Sequence, residues 1–381
     1  PGLTGAGDST ATQFPYMMAT GAVDDPTLTY NMATAMAVEH RYYGLHWTFS
    51  PVVDPNLNFQ NPITNVRSAG EQPEIVERHV VPFIKGFQHK NTMAATAKHF
   101  PGDGLDFRDQ HLATSVNHLP MEQWWGTYGK IWKSVIDAGV LTVMPGHISL
   151  PDYQGFSGNP EQAPPATLSR KIQETLLREE LGFQGVVVSD ATPMIGMTAW
   201  APGPERILLN IEAGSDVYLF GDSAQDFESI RMAVSNHRIS EERIICSARR
   251  VLELKARLGL HLDPFGPEPT GDQRKLFAET SCEIAESAVS VLRTDGRPPV
   301  LLEPGSKVLT ITIKYDIPSI SPADLYTIDE ELRQRRLVVD HMLNPSNSKI
   351  AEQASKYDAV FINMHVTPDM RLGTPRLPGG I

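Results

Sequence analysis

The sequence predicts a TIM-type (β/α)8-like α/β barrel followed by a second, smaller α/β unit, and three observations carry that prediction. Short apolar runs rich in β-branched residues alternate with stretches of helical period from about residue 27 to about 258, the pattern of parallel strands joined by crossover helices. Several of these runs end on titratable residues, as at Lys98-His99 and Ser189-Asp190, and functional groups just past strand ends mark the catalytic face of such a barrel. A segment punctuated by proline and glycine, Leu262-Asp263-Pro264-Phe265-Gly266-Pro267-Glu268-Pro269, then breaks the alternation before it resumes, which places a linker there. The expected division is a catalytic domain over 1–262, a linker and connecting helix over 263–300, and the start of a second α/β domain over 301–381.

Composition bounds the partners. A chain of 381 residues exceeds one ordinary domain, so two are expected. Hydrophobic residues at 41% and charged residues at 20% fit a globular protein with a sizeable core. The net charge of −12 argues against nucleic acid or an anionic membrane surface as partner. No run of 18 apolar residues occurs, so no membrane span is expected. Two cysteines, Cys246 and Cys282, are too few for a disulfide framework and are expected as free, mostly buried thiols. The chain opens on Pro1 without a signal-peptide pattern, so the reading places the protein in the cytoplasm, with a start that reads as truncated. No cofactor is expected, and nothing in the pattern speaks to oligomeric state.

Taken in order, residues 1–16 read as a Gly-, Thr- and Ala-rich loop. The spacing of Leu28, Met32, Ala35 and Ala37 predicts a helix over 27–43. A strand over 47–53 ends at Asp54, which is expected to fix its own loop's backbone. The loop runs on to Arg67, by position alone as much a surface cation as a group reaching a substrate. Val76, Val80, Phe83, Ile84 and Phe87 predict a helix over 74–88. A strand over 93–99 and a helix over 121–137 follow. The run Val140-Leu141-Thr142-Val143-Met144 is a strand, with His147 just beyond its end. Residues 151–167 form a Pro- and Gly-rich loop, and Ser169 is expected to cap a helix reaching 181. Val186-Val187-Val188-Ser189-Asp190 is a strand ending in a carboxylate. An Asp there serves either as a cap for loop amides or as a group acting above the sheet. Helices over 204–213, 225–236 and 240–258 and a strand over 216–220 complete the first unit. A helix over 272–292, strands over 308–313 and 359–363 and a helix over 322–335 make the second, and 367–381 reads as loop.

The densest chemistry lies after the second of these strands, in Lys98-His99-Phe100-Pro101-Gly102-Asp103-Gly104 and on to Asp109-Gln110-His111. Proline and glycine turn the strand into a loop, and the paired glycines lead us to expect that loop to be mobile. This stretch resembles the signature of glycoside hydrolase family three, and within it the β-N-acetylglucosaminidase branch, whose Asp-x-His loop supplies the general acid/base. The departure is Asp103, where that branch commonly has His. The stretch Gly182-Phe183-Gln184-Gly185-Val186-Val187-Val188-Ser189-Asp190 resembles the family's nucleophile motif. Pro51-Val52-Val53-Asp54 through Arg67-Ser68 resembles its substrate-binding loop. Phe14-Pro15 resembles the close of a segment that follows the family's first barrel strands, so those strands and one sugar-binding Asp are expected outside this sequence.

The resemblance implies a retaining, exo-acting β-glycosidase, most closely a β-N-acetylglucosaminidase. Asp190 would be the nucleophile and His111 the general acid/base, oriented by Asp109. Arg67, Lys98 and His99 would contact a terminal β-linked sugar, and His147, by its strand-end position rather than by the resemblance, is expected as a further pocket residue beside its structural reading. The resemblance also implies that the second domain is part of an α/β sandwich. The residues themselves suit these roles. An ionised strand-end Asp can attack, and an imidazole with an ordinary pKa of about 6.5 can carry a proton near neutrality. Three alternatives stand beside this reading. A β-glucosidase of the same family would take its acid from a second-domain Glu such as Glu330 or Glu331. A metal-dependent hydrolase would use His99, Asp103, Asp109, His111 and His118, although no His-x-His or His-x-x-x-His spacing supports it and no metal is expected. A sugar-binding protein would need Lys98 and Arg67 but not the other three groups together. Trp200 could stack on a sugar face or simply fill core.

Overall fold

The computed structural model describes residues 11–293, 296, 300–314 and 326–365. The expected loop over 1–16 therefore lies partly, and the tail over 367–381 wholly, outside the described residues. The chain divides into two compact units, residues 1–290 and 291–381.

In the first unit, α1 (Met17–Val23) and α2 (Pro26–Tyr42) precede the first strand position. Asp25 caps α2 through the Thr27 amide, and Pro26 sits at the first helical position where its missing N–H costs nothing. α3 (Pro73–Phe87) packs on α2 and buries Val76, Val80, Phe83, Ile84 and Phe87. The sheet is parallel. β1 (Thr96–Phe100) pairs with β3 (Thr142–Pro145), which pairs with β5 (Val186–Val187). Bridges from Trp47 to Ala94 and Val52 to Lys98 add a position before β1, and a bridge from Val188 to Val217 adds one after β5. Five of the expected strands thus lie side by side in sequence order, all running the same way. A second parallel pair, β2 (Ser115–Val116) and β4 (Ile148–Ser149), joins the loops that follow β1 and β3.

The helix expected over 121–137 is a composite. α4 (Met121–Trp124) passes through a π-helical turn, Trp125–Gly129, into α5 (Lys130–Asp137). The loop after β4 contains α6 (Pro151–Gln154). After two 3-10 turns, Pro160–Gln162 and Ala166–Leu168, the segment Lys171–Glu180 is also π-helical. Ser169 does not cap it with its side chain; its hydroxyl accepts from Gln154 at 3.1 Å, while its carbonyl takes the Ile172 and Gln173 amides. α7 (Ile195–Thr198), α8 (Gly203–Ala213), α9 (Ser223–Ser235) and α10 (Glu241–Arg257) follow. Leu254 and Leu258 of the α10 end pack with Ala94, Leu141 and Val186, the N-terminal ends of the strands. α11 (Gly271–Ser287), within the expected linker, buries Phe277 and Ile284 in the first unit's core and packs on α1 and α2. Cys246 and Cys282 are free, but Cys282 is exposed because it lies on the outer face of that helix.

The second unit has its own parallel sheet in the order β7-β6-β8, from β6 (Lys307–Lys314), β7 (Val338–Leu343) and β8 (Ala359–His365). α12 (Thr327–Gln334) and α13 (Asn347–Ala354) connect its strands. Asp329 of α12 lies 2.7 Å from Nδ1 of His341 on β7, and Leu332 packs on Val308 of β6. Glu330 and Glu331 are exposed on α12. No described helix is long and apolar enough to cross a membrane.

Candidate active site

Parallel strands deliver the candidate groups to one end of the sheet. β1 carries Lys98 and His99 just before its last residue, Phe100, β3 runs into Gly146 and His147, and Asp190 follows the Val188 bridge. All of these stand at strand C-termini, the end at which barrel chemistry gathers.

The loop after β1 is held from beneath by α4–α5. Trp124 and Trp132 donate their indole N–H groups to the Pro101 carbonyl at 3.1 and 3.3 Å, and the Tyr128 hydroxyl donates to the Asp103 carbonyl at 2.6 Å. These aromatics recur every four residues, so they share one helix face. Gly102 and Gly104 adopt φ of 136° and 89°. A Cβ at Gly102 would fall 2.1 Å from the Tyr128 ring, and one at Gly104 would fall 2.0 Å from the Pro55 carbonyl oxygen. The glycines expected to loosen this loop are positions where nothing larger fits.

Asp54, expected to serve its own loop, reaches across to β1 instead. It accepts the His99 amide at 3.0 Å, the Asp103 amide at 2.9 Å and His99 Nδ1 at 2.8 Å. That contact makes His99 a donor at Nδ1, and Arg67 donates to its Nε2 at 3.2 Å. The ring is therefore neutral, in keeping with burial, which lowers its pKa. His99 turns an acceptor nitrogen toward Asp190, 4.0 Å from Oδ2, and its donor is committed to Asp54. Burial also lowers the Arg67 guanidinium, against the pull of Asp54, Asp190, Asp103 and Asp109. Lys98 falls to about 8, by burial first and the Arg67 charge second, so it remains a cation at neutral pH.

Burial pushes the Asp190 carboxyl up, but its charged surroundings overcome this and hold it below the ordinary carboxylate value. The opposing groups are His99, His147, Lys98 and the Ala191 N–H. With both imidazoles neutral, the ammonium and the amide act at neutral pH; Ala191 N–H donates to Oδ1 at 2.7 Å. His147 is wholly buried, its Nε2 donating to the Ala191 carbonyl and its Nδ1 accepting from Thr167, both at 2.9 Å. It meets the site through the backbone beside Asp190, with both ring nitrogens used within the protein. Sequence reasoning missed Thr167 and the reach of Asp54, although Asp54, like Asp190, ends an apolar strand.

Asp109 and His111 form a direct pair. His111 Nδ1 lies 2.6 Å from Asp109 Oδ1, which also accepts the His111 amide at 2.8 Å. The hydrogen bond to Asp109 raises the imidazole pKa against the effect of burial. The His111 side chain is 33% exposed while that of Asp109 is 1% exposed, so the ring is reachable and its partner is not. The pair is tied to the loop after Asp190, because Ile195 N–H donates to the His111 carbonyl and Gly196 N–H to the Gln110 carbonyl, both at 3.1 Å. Asp103, the departure from the branch pattern, is buried and pushed up to about 7, by burial first and Asp54 second. Trp200 is partly exposed with its indole N–H given to Thr114 at 2.7 Å. His118 is exposed, and among the described residues no three His, Cys, Asp or Glu side chains gather as a metal ion would require.

The arrangement thus offers a carboxylate held ionised beside a cation, and a second carboxylate that loads a proton onto a reachable imidazole. Comparison with known proteins bears on what such a site belongs to. Over 311 residues the chain is 37% identical to the beta-N-acetylglucosaminidase/beta-glucosidase of Cellulomonas fimi, covering 79% of this chain and 53% of that protein. It is 32% identical over 238 residues to a beta-hexosaminidase of Pasteurella multocida, covering 60% of this chain and 63% of the relative. The chain spans about half the length of most of the curated relatives it matches. Among solved structures, the beta-glucoside phosphorylase BglX aligns with a TM-score of 0.87 at 27% identity, covering 98% of this chain and 70% of that one. A glycoside hydrolase family 3 beta-N-acetylglucosaminidase from Paenibacillus sp. str. FPU-7 aligns at 0.80 and 28% identity, covering 93% and 69%. Residues 2–254 match the family described as glycosyl hydrolase family 3 N terminal domain. The chain belongs to glycosyl hydrolase family 3.

Proposed function

We propose that this chain carries the catalytic part of a retaining, exo-acting β-glycosidase whose preferred substrate is a terminal β-linked N-acetylglucosamine. The observation that carries the reading is the Asp109–His111 pair, hydrogen-bonded to the same loop that begins at Asp190. In the first step an Asp190 oxygen bonds to the anomeric carbon. The glycosidic bond breaks as His111 Nε2–H gives its proton to the leaving oxygen. In the second step water attacks the glycosyl ester, His111 takes its proton, and Asp190 leaves as carboxylate. Arg67 and Lys98 supply donors and positive charge around Asp190, His99 holds the Arg67 guanidinium there through its Nε2, and His147 steadies the Ala191 carbonyl. Residues 1–262 serve as the barrel-type domain with α11 of the connecting stretch 263–300 packed on it, and the second unit serves as a sandwich-type domain.

A second sugar is supported by a specific observation: the Cellulomonas fimi relative is named for both N-acetylglucosaminidase and glucosidase activity. The proton carrier also bears on the acceptor. A deprotonated His is neutral where a deprotonated Glu is anionic, so an anion such as phosphate would be repelled less in the second step. The test is turnover of aryl β-N-acetylglucosaminide against aryl β-glucoside by the full protein, with and without phosphate. Preference for the first substrate supports the reading, and turnover of the glucoside alone overturns it.

A further inference from the structure

The residue between Asp109 and His111 is as firmly bound as the pair itself. Gln110 is 1% exposed and every polar group of its side chain has a partner on a different element. Its Oε1 accepts the His147 amide at 2.6 Å, just past β3. Its Nε2 donates to Asp103 Oδ2, in the loop directly after β1. Its carbonyl accepts the Gly196 amide at 3.1 Å, in the loop that follows Asp190. Two glycines are shaped around it. A Cβ at Gly146 would lie 2.8 Å from Gln110 Oε1, and one at Gly196 would lie 2.7 Å from its carbonyl oxygen. Neither glycine has a positive φ, so crowding rather than backbone twist excludes a side chain there, by Gln110 together with Ile148 at Gly146 and with His147 at Gly196.

Asp103 completes the arrangement. Its Oδ1 accepts from Gly104 N at 2.7 Å and from Asn61 Nδ2 at 2.7 Å, leaving Oδ2 for Gln110. Asp103 thus receives three N–H donors, one of them the Gln110 amide. From this network we infer that Gln110, received by Asp103, is the positioning residue that sets His111 relative to Asp190. Gln110 touches neither substrate nor the reacting atoms. Its side chain joins the β1 loop to the β3 end, its carbonyl adds the Asp190 loop, and His111 is the next residue in the chain. A shift of Gln110 moves the imidazole, and small errors in placing a proton donor are costly in rate. The inference rests on the reading of His111 as proton carrier.

A reciprocal swap tests it. Gln110→Glu sets a carboxylate against Asp103, and Asp103→Asn alone sets an amide donor against the Gln110 amide donor. The double variant Asp103→Asn/Gln110→Glu restores one donor and one acceptor with the direction reversed, and its Glu still accepts the His147 amide. The measurement is kcat/KM in the full protein for an alkyl β-N-acetylglucosaminide, which needs protonation, and for a 2,4-dinitrophenyl one, which does not. Thermal melting is followed in parallel. The expected result is that each single variant loses about tenfold or more on the alkyl substrate relative to the dinitrophenyl one, a fraction of the 10²–10⁴ that a general acid supplies. The double variant is expected to recover most of that selective loss. Should a single variant fail to fold, the double variant must still fold and keep the wild-type ratio between the two substrates. Equal loss on both substrates, no loss in the singles, or a double variant that does not fold or recover would overturn the inference. His111→Ala measured alongside separates the two claims. If it too falls equally on both substrates, the proton-carrier reading fails; if it is selective and the Gln110 variants are not, only the positioning role fails.

Discussion

Asp109 Oδ1 lies 2.6 Å from Nδ1 of His111 and accepts the amide of the same residue at 2.8 Å. One carboxylate oxygen thus fixes both the ring and the backbone that carries it, and leaves Nε2 to the proposed proton transfer. The pKa consequence has a definite sign. Asp109 raises the imidazole above its ordinary 6.5, so the acid form persists to higher pH than a free histidine would allow. For substrates that need protonation, kcat/KM falls as pH rises through that raised value. Asp109→Asn moves this limb to lower pH and costs no more than the roughly 10²–10⁴ a general acid is worth. A limb that stays in place in the pH–rate profile of Asp109→Asn contradicts the pairing. The same raised value means that the pair stabilises the fold fully below the unfolded imidazole pKa, and that this contribution is lost as pH rises through the folded one.

Asp190→Ala is expected to remove turnover of activated and unactivated substrates alike, on the order of 10⁴-fold or more, because no glycosyl ester can form. Initial rates on both substrate classes check this, together with a melting curve showing an intact fold. Substantial turnover of either class places the nucleophile elsewhere.

Gly104→Ala is expected to destabilise the first unit by about 2–4 kcal/mol, combining a φ that alanine tolerates poorly with overpacking. The Cβ would lie 2.0 Å from the Pro55 carbonyl oxygen, a backbone atom that cannot turn aside. Urea denaturation measures it. A change below about 0.5 kcal/mol, the range of ordinary surface substitutions, would mean that the loop yields.

The sheet was legible because its strands are apolar runs that end abruptly in charge, and the helices because their buried positions recur at helical spacing. What escaped depends on partners distant in the chain. Asp54 reads locally as a turn residue, yet its partners His99 and Asp103 lie 45 and 49 positions away. Gln110 has no periodic signature, and its meaning comes from His147, 37 positions on. Gly102 and Gly104 read as flexibility because a sequence does not display the Tyr128 ring or the Pro55 carbonyl that crowd them. α1 lacks a side-chain cap, and β7 is interrupted by Asp340 and His341, so neither gave a clean period.

On the proposed mechanism the proton carrier is His111 on the β1 loop and not a carboxylic acid of the second unit such as Glu330 or Glu331. This assignment is tested most directly by azide rescue in the full protein with an activated aryl substrate. In His111→Ala the second step lacks its base, so added azide is predicted to speed turnover and yield the β-glycosyl azide, while Glu330→Ala and Glu331→Ala turn over normally and ignore azide. The opposite result, azide without effect on His111→Ala while either glutamate variant is slow and azide-rescued, would contradict it.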